Sequence, residues 1–176
     1  MKTNRRKIIN DLAKEIKTPN QNLAKLKTMI KQISKLPIDM NTRIYKGRTL
    51  LHYAVIGNNS GVINLLSKAG VNPNICDDNY NTPLHFAILK NSYYAVHELL
   101  KIKGIDVDSP SEFEQTPLHK AVILGNLDII KLLIKYGADP ELVDEKNQSP
   151  LDYAQDEGDQ EIIKYLVATL KRQKGE

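Results

Sequence analysis

The sequence predicts an all-α fold: a solenoid of four helix-turn-helix repeats with hairpin loops, preceded by an N-terminal helical cap. Two markers in register carry this. An eight-residue phrase returns as "RTLLHYAV" at 48–55, "NTPLHFAI" at 81–88, "QTPLHKAV" at 115–122 and, in shorter form, "QSPLDYA" at 148–154. Its Thr or Ser falls at Thr49, Thr82, Thr116 and Ser149, a near-constant spacing. Gly70, Gly104 and Gly137 each precede the next Thr or Ser by one and the same distance, and each follows a double leucine by four positions. Self-similarity at a fixed period marks stacked supersecondary units.

In chain order, the first element is a helix over Asn4–Lys17, with Ile8, Ile9, Leu12, Ala13 and Ile16 at helical spacing. "TPNQ" at 18–21 breaks it. A second helix over Asn22–Leu36 sets Leu23, Leu26, Ile30 and Ile33 on one face, with Lys25, Lys27, Lys31 and Lys35 elsewhere. Pro37 stands as far before Thr49 as the three glycines stand before their own Thr or Ser, and "IDMN" after it parallels "VNPN", "IDVD" and "ADPE". Residues 22–36 therefore read as the second helix of a degenerate leading repeat. The Asn4–Lys17 helix has no TPLH counterpart and reads as a further cap. The ends of a solenoid need a polar outer face, because no neighbour covers them, and lysines supply one. The division is a basic cap over 1–43 and a body over 44–176. The repeats span about 44–76, 77–110, 111–143 and 144–172, before a short basic tail.

Each repeat then opens with Thr or Ser as N-cap. In Thr82-Pro83 and Thr116-Pro117 the proline suits the first helical turn, where its missing N–H costs nothing. The short helix ends near Asn58, Asn91, Gly125-Asn126 or Gly158, residues that tolerate a left-handed conformation. A second helix follows with paired apolar residues, such as Val62-Ile63 with Leu65-Leu66, Ile129-Ile130 with Leu132-Leu133, and Ile162-Ile163 with Tyr165-Leu166. That is the stripe of a helix buried on one side. The one extra residue of the second repeat is expected in the turn between its helices, around Ser92–Tyr94, since loops tolerate insertions best.

These residues resemble ankyrin repeats, whose pattern runs Asp-x-x-Gly-x-Thr-Pro-Leu-His-x-Ala, a helix, a turn and a second helix ending Leu-Leu before Gly-Ala. The match covers roughly residues 44–172. The resemblance implies antiparallel helix pairs with hairpins projecting from one edge, and a protein-binding module without catalysis. It also implies that the recurrent histidine orders the loops through hydrogen bonds between repeats. The family's loop glycine is present only as Gly47; Tyr80, Glu114 and Asn147 stand in its place. Asn takes positive φ cheaply, Tyr and Glu less so, which leaves the second and third tips open in shape.

Composition narrows the function. Cys76 is the only cysteine, so neither a disulfide framework nor a Cys-rich zinc site is expected, and a reducing intracellular, cytoplasmic setting is the simplest reading. No apolar run approaches the ~20 residues of a membrane span. "MKTNRRKIIN" lacks the apolar stretch of a secretory signal. Charge is segregated: residues 1–36 hold ten Lys/Arg against Asp11 and Glu15, a net of +8, while residues 37–176 carry −4. Any argument from basicity to nucleic acid must therefore pass through the N-terminal segment.

His52, His85 and His119 occupy one position in three repeats. Equivalent positions in packed helices stand on the order of 10 Å apart, too far for shared metal ligation at ~2 Å. They read as structural, and Asp152 ends any ladder in the fourth repeat. His97 lies on a second helix with no evident partner. The nucleotide, hydrolase, zinc-protease and dithiol motifs are all missing from the sequence. No catalysis, metal or cofactor is expected.

For the family, binding combines hairpin tips with the exposed face of the first helices. By resemblance the tips here are Tyr45, Lys46 and Arg48; Asp78, Asn79, Tyr80 and Asn81; Glu112, Phe113, Glu114 and Gln115; and Glu145, Lys146 and Gln148. The helix positions are Ile56 and Gly57, Leu89 and Lys90, Ile123 and Leu124, and Asp156 and Glu157. Ile56, Leu89, Ile123 and Leu124 would form an apolar row, flanked by Tyr80 and Phe113 and ended by the acidic pair. The leading expectation is a monomeric scaffold, adaptor or inhibitor for a protein partner. Two others stay open: a host-directed effector of an intracellular bacterium or virus, and anionic-membrane or nucleic-acid binding by the basic helices.

Overall fold

The computed structural model describes residues 2–18, 23–33, 35–36 and 38–175. Pro19, Asn20 and Gln21 of the expected helix break, with Asn22 and Pro37, lie outside the described residues. Ten α-helices and no strand are found among those described. They are α1 (Lys2–Lys17), α2 (Leu23–Ile33), α3 (Leu50–Ile56), α4 (Ser60–Lys68), α5 (Pro83–Leu89), α6 (Tyr93–Leu100), α7 (Pro117–Ile123), α8 (Leu127–Lys135), α9 (Pro150–Glu157) and α10 (Gln160–Lys174). α1, α3, α5, α7 and α9 pack in sequence as an inner row. α2, α4, α6 and α8 do so as an outer row, and α10 packs against α9. α1 thus stands in the inner layer against α3, although it lacks the TPLH start.

The local reasons recur from repeat to repeat. Thr49, Thr82, Thr116 and Ser149 are extended N-caps, each in a reciprocal capping box with the residue three positions on. That residue is His52, His85, His119 or Asp152, where such boxes ordinarily carry Glu or Gln. Pro83, Pro117 and Pro150 fill the first turn. Asn58, Asn91, Gly125 and Gly158 take φ of 50, 53, 65 and 72°, turning the chain out of each inner helix. The outer helices begin on Asn59, Asn126 and Asp159, whose side chains accept backbone N–H groups of the first turn. Each such cap is worth ~1 kcal/mol.

The extra residue of the second repeat is not in the turn around Ser92–Tyr94. Ser92 stands at the same offset from Thr82 as Asn59 from Thr49, Asn126 from Thr116 and Asp159 from Ser149. All four turns also close on one hydrogen bond, Asn59, Ser92, Asn126 and Asp159 N–H to Ala54, Ala87, Ala121 and Ala154 C=O. The insertion lies after α6, in Lys101–Lys103. Here the helix stops at Leu100 and the chain turns so that Ile102 is buried. Helix-to-helix turns are set by packing on both sides; the helix exit has room for one more residue.

The core runs along the stack between the two rows. Leu51, Leu84 and Leu118, then Ala54, Ala87, Ala121 and Ala154, are buried at equivalent inner-helix positions. Leu66, Leu99, Leu133 and Leu166 oppose them from the outer helices with no measurable exposure. Leu99→Ala is expected to cost roughly 2–5 kcal/mol by chemical denaturation, as for other buried leucines. Leu89→Ala, at a side chain 49% exposed, should cost well under half as much. Equal losses would place Leu89 in the core.

Gly57 sets how closely α1 approaches α3. Its φ is an ordinary −78°, but a Cβ there would meet the Ile16 carbonyl oxygen at 2.7 Å and the Lys17 carbonyl oxygen at 3.1 Å. Those are backbone atoms and cannot swing aside. Gly57→Ala should displace the end of α1, costing about 1–3 kcal/mol. Faster amide exchange confined to α1 is the expected signature; unchanged exchange there would refute the contact.

Candidate functional site

The hairpin tips come in two kinds, set by one residue. Where Asp77 and Asp144 open the tip, the carboxylate accepts N–H groups two and four positions on, from Asn79 and Asn81 and from Lys146 and Gln148. Where Ile44 and Ser111 stand instead, the tip forms a short 3-10 turn, at Tyr45–Gly47 and Glu112–Glu114. Lys46 and Phe113 then take φ of 60 and 63°. At the loop-glycine position Gly47, Tyr80, Glu114 and Asn147 all adopt positive φ. Tyr80 and Glu114 therefore bear the steric cost that glycine would avoid.

This alternation pairs the tips. The Asp78 N–H donates to the Lys46 carbonyl at 3.1 Å, and the Glu145 N–H to the Phe113 carbonyl at 3.2 Å. Among the described residues, no hydrogen bond joins tip 77–81 to tip 111–115.

The histidines follow the same rhythm. Each Nδ1 accepts the N–H of its own Thr, at 3.1 Å for His52, 3.3 Å for His85 and 3.2 Å for His119. That places the proton on Nε2. His52 Nε2 donates to the Asn81 carbonyl and His119 Nε2 to the Gln148 carbonyl, both at 3.0 Å. His85 Nε2, facing the Gln115 carbonyl, is buried and falls outside hydrogen-bond geometry. The ladder expected to end at Asp152 is therefore already interrupted between repeats two and three. Burial holds His52 and His85 down to a pKa of about 4, against 6.5 ordinarily, and lowers that of His119.

Two of the expected contact residues belong to this framework. Gln115 is buried, not at an open tip: its amide donates to the Tyr153 hydroxyl at 2.9 Å, and Lys120 Nζ donates to its Oε1 at 2.6 Å. The Tyr153 hydroxyl in turn donates to Asp144 Oδ2 at 2.6 Å. Arg48 is half-buried, its Nε 3.5 Å from Asp77 Oδ2, an ion pair too poorly aligned for a hydrogen bond. Its guanidinium lies 4.7 Å from the centre of the Phe86 ring, which meets His52 edge-on as Tyr153 meets His119. Arg48 and Gln115, Asp77 and Asp144, and Phe86 and Tyr153 are equivalent positions two repeats apart. Asn81 and Gln148 are half-buried too, each held by its carbonyl.

The remaining tip residues are open to solvent. Tyr45, Tyr80 and Phe113 are the exposed aromatics, with Lys46, Asp78, Asn79, Glu112, Glu114, Glu145 and Lys146 around them. On the inner helices Leu89, Lys90, Ile123 and Leu124 are exposed, as are Asp156 and Glu157. Ile56 is only half-buried and leaves the row. It lines a cavity of about 490 Å³ with Asn91, Tyr93 and Tyr94. Tyr94 is the most exposed of the large hydrophobic side chains described, and sequence reasoning misses it as a contact candidate by treating its turn as the site of the insertion. Leu89 and Ile123 end their seven-residue helices, whereas Tyr80 and Phe113 precede the start. The apolar row and the aromatic tips therefore lie about 10 Å apart, one at each end of the inner helices. His97 stacks on Tyr93, their ring centres 6.2 Å apart. No group of three His, Cys, Asp or Glu that could hold a metal, and no helix able to cross a membrane, occurs among the described residues.

The family model for ankyrin repeats (three copies) matches residues 16–111 and again 95–174, and the chain belongs to this family. Among its relatives is the ankyrin repeat protein FPV223 of fowlpox virus, 32% identical over 140 residues, covering 79% of this chain and 97% of that protein. A second fowlpox protein, FPV014, is 33% identical over 79% of this chain but 32% of its own length. Alpha-latrotoxin-Lg1a of Latrodectus geometricus is 39% identical over 68% of this chain and 9% of its own. The chain thus spans nearly all of one relative and less than a third of the other two.

Proposed function

We propose that the protein is a non-enzymatic module that grips a protein partner through its inner helices and hairpin tips, as a scaffold, adaptor or inhibitor. The observation that carries this is the exposure of Leu89, Ile123 and Leu124 at the ends of adjacent helices whose other apolar residues are buried or, for Phe86, partly buried. Apolar anchors inside a polar rim are the composition of interface hot spots. Lys90 and the charged tip residues Lys46, Asp78, Glu112 and Lys146 form that rim. Ile56 is half-buried and Asp156 and Glu157 end the row, so the helix contact centres on repeats two and three beside the tip of repeat one, with the basic segment 1–43 capping the body 44–176 of a monomer. The fowlpox relatives favour a second form of the same reading, in which the partner is a host protein met in the host cytosol. The test is capture of the partner from the native cell by wild type and by a Leu89→Glu/Ile123→Glu variant. Equal capture by both would refute this surface.

A further inference from the structure

We propose that α1 and the first hairpin form a seat for an acidic segment of the partner protein. The proposal rests on the reading of the inner face as a protein-binding surface and names the chemistry of what it binds. A cavity of about 460 Å³ lies between α1 and the hairpin, lined by Arg6, Asn10, Lys14 and Lys17 on one side and by Tyr45 and Tyr53 on the other. At 3.6 residues per turn the four α1 positions fall in one stripe. Asp11 and Glu15 lie outside it, and Glu15 is engaged by Lys25 of α2 at 3.2 Å. No carboxylate lines the cavity. Arg6, Lys14 and Lys17 are exposed, and none of them forms an ion pair among the described residues. Three cations thus face one concavity with no counter-charge from the chain itself.

The spacing selects among anions. From Arg6 to Lys17 the helix rises about 16 Å, so one phosphate cannot touch all three cations. About five residues of extended chain cover that length, with side chains alternating between wall and solvent. Single-stranded nucleic acid would need a series of stacking rings. Here only Tyr45 is freely exposed; Tyr53 is half-buried, its hydroxyl 3.5 Å from the Tyr45 carbonyl. A bilayer surface cannot enter a cavity between a helix and a hairpin.

The experiment titrates the full chain, at low and at physiological salt, against a fluorescein-labelled decapeptide alternating Glu and Gly. A single-stranded RNA oligomer, inorganic phosphate, and vesicles of phosphatidylserine in phosphatidylcholine serve as comparators. Lys14→Glu/Lys17→Glu should weaken peptide binding about tenfold or more. Lys27→Glu/Lys31→Glu makes the same change in net charge on the exposed face of α2 and should weaken it less than twofold. All four lysines are exposed, and Lys14, Lys17 and Lys31 stand in the last turns of their helices, so only a small fall in melting temperature is expected in either variant and verifies folding. Equal losses in the two variants would reduce the effect to net charge and overturn the seat. Tighter binding of RNA or vesicles than of peptide, lost in the α1 variant, would assign the cavity to that polyanion instead. Saturation by phosphate alone would show a point-anion site and overturn the peptide seat. If the peptide fails to bind while the partner is still lost on Leu89→Glu/Ile123→Glu, this inference falls and the protein-binding reading stands.

Discussion

Thermal stability is expected to fall steeply as the pH drops from 6.5 to 4, by roughly 3 kcal/mol for each of His52 and His85. Both imidazoles are fully buried, and burial holds each at a folded pKa of about 4. The hydrogen bonding has the same consequence: Nδ1 accepts the Thr N–H in each case, and a protonated ring has no acceptor left. In the unfolded chain the same rings take a proton near 6.5. Folded stability is therefore fully present above 6.5, is lost as the unfolded chain gains protons that the fold excludes, and has no more to lose from these two below 4. His119, shifted in the same direction, adds to the loss. The lowered carboxyls of Asp144 and Asp152 give up most of their contribution below their ordinary pKa of 3.8 and add little within this window. Since whole domains hold about 5–15 kcal/mol, the sum is enough to unfold a marginal one. A melting temperature that stays level between pH 7 and 5 would contradict it. His85→Gln should remove the share of the fall that His85 carries, because Gln takes up no proton in this range, and leave the share of His52 in place.

The parts of this fold legible in the sequence are those governed by neighbours in the chain. Thr82-Pro83-Leu84-His85 spells a cap, a first turn and a buried face within four residues, and the helices follow. The helix exits at Asn58, Asn91, Gly125 and Gly158 are legible for the same reason. The bounds of α2 are not: Leu36 lies in a turn beyond its end at Ile33. Gln115 is polar and sits in a tip, so sequence places it in solvent; what buries it is Tyr153, from the next repeat. The insertion goes astray when the double leucines are aligned with one another. In the structure Leu66, Leu99 and Leu133 are equivalent, so Leu100 and not Leu99 is the residue out of register. The exposure of Leu89, Ile123 and Leu124 follows from helix phase alone. The half-burial of Ile56, which depends on the neighbouring turn, does not. The basic cavity is invisible in the sequence for a related reason. Arg6, Lys14 and Lys17 read as a solvated face until the first hairpin is seen opposite them.

Replacing Leu89 and Ile123 together by Glu is expected to abolish partner binding while changing the fold little. Both side chains are large and substantially exposed, at 49% and 40%, so no core position receives the charge. In a desolvated interface each carboxylate would be buried without a partner, at several kcal/mol apiece. A micromolar interface holds about 8 kcal/mol in all, and two such penalties use most of it. Both residues also end their helices, α5 and α7, where a carboxylate opposes the dipole at about 0.3–1 kcal/mol each. A small fall in melting temperature is therefore expected from Glu and separates cleanly from the loss of binding. The matched control is Lys at both positions, which favours the helix ends yet still places unpaired charge in the contact. Both double variants should lose the partner, and only the Glu pair should melt lower. Phe113→Ala, at a tip about 10 Å away along the inner helix, should weaken binding by roughly 1–3 kcal/mol without abolishing it. Isothermal titration against the captured partner decides the matter. Full affinity in both double variants, with Phe113→Ala still deleterious, would move the contact from the helix row to the aromatic tips.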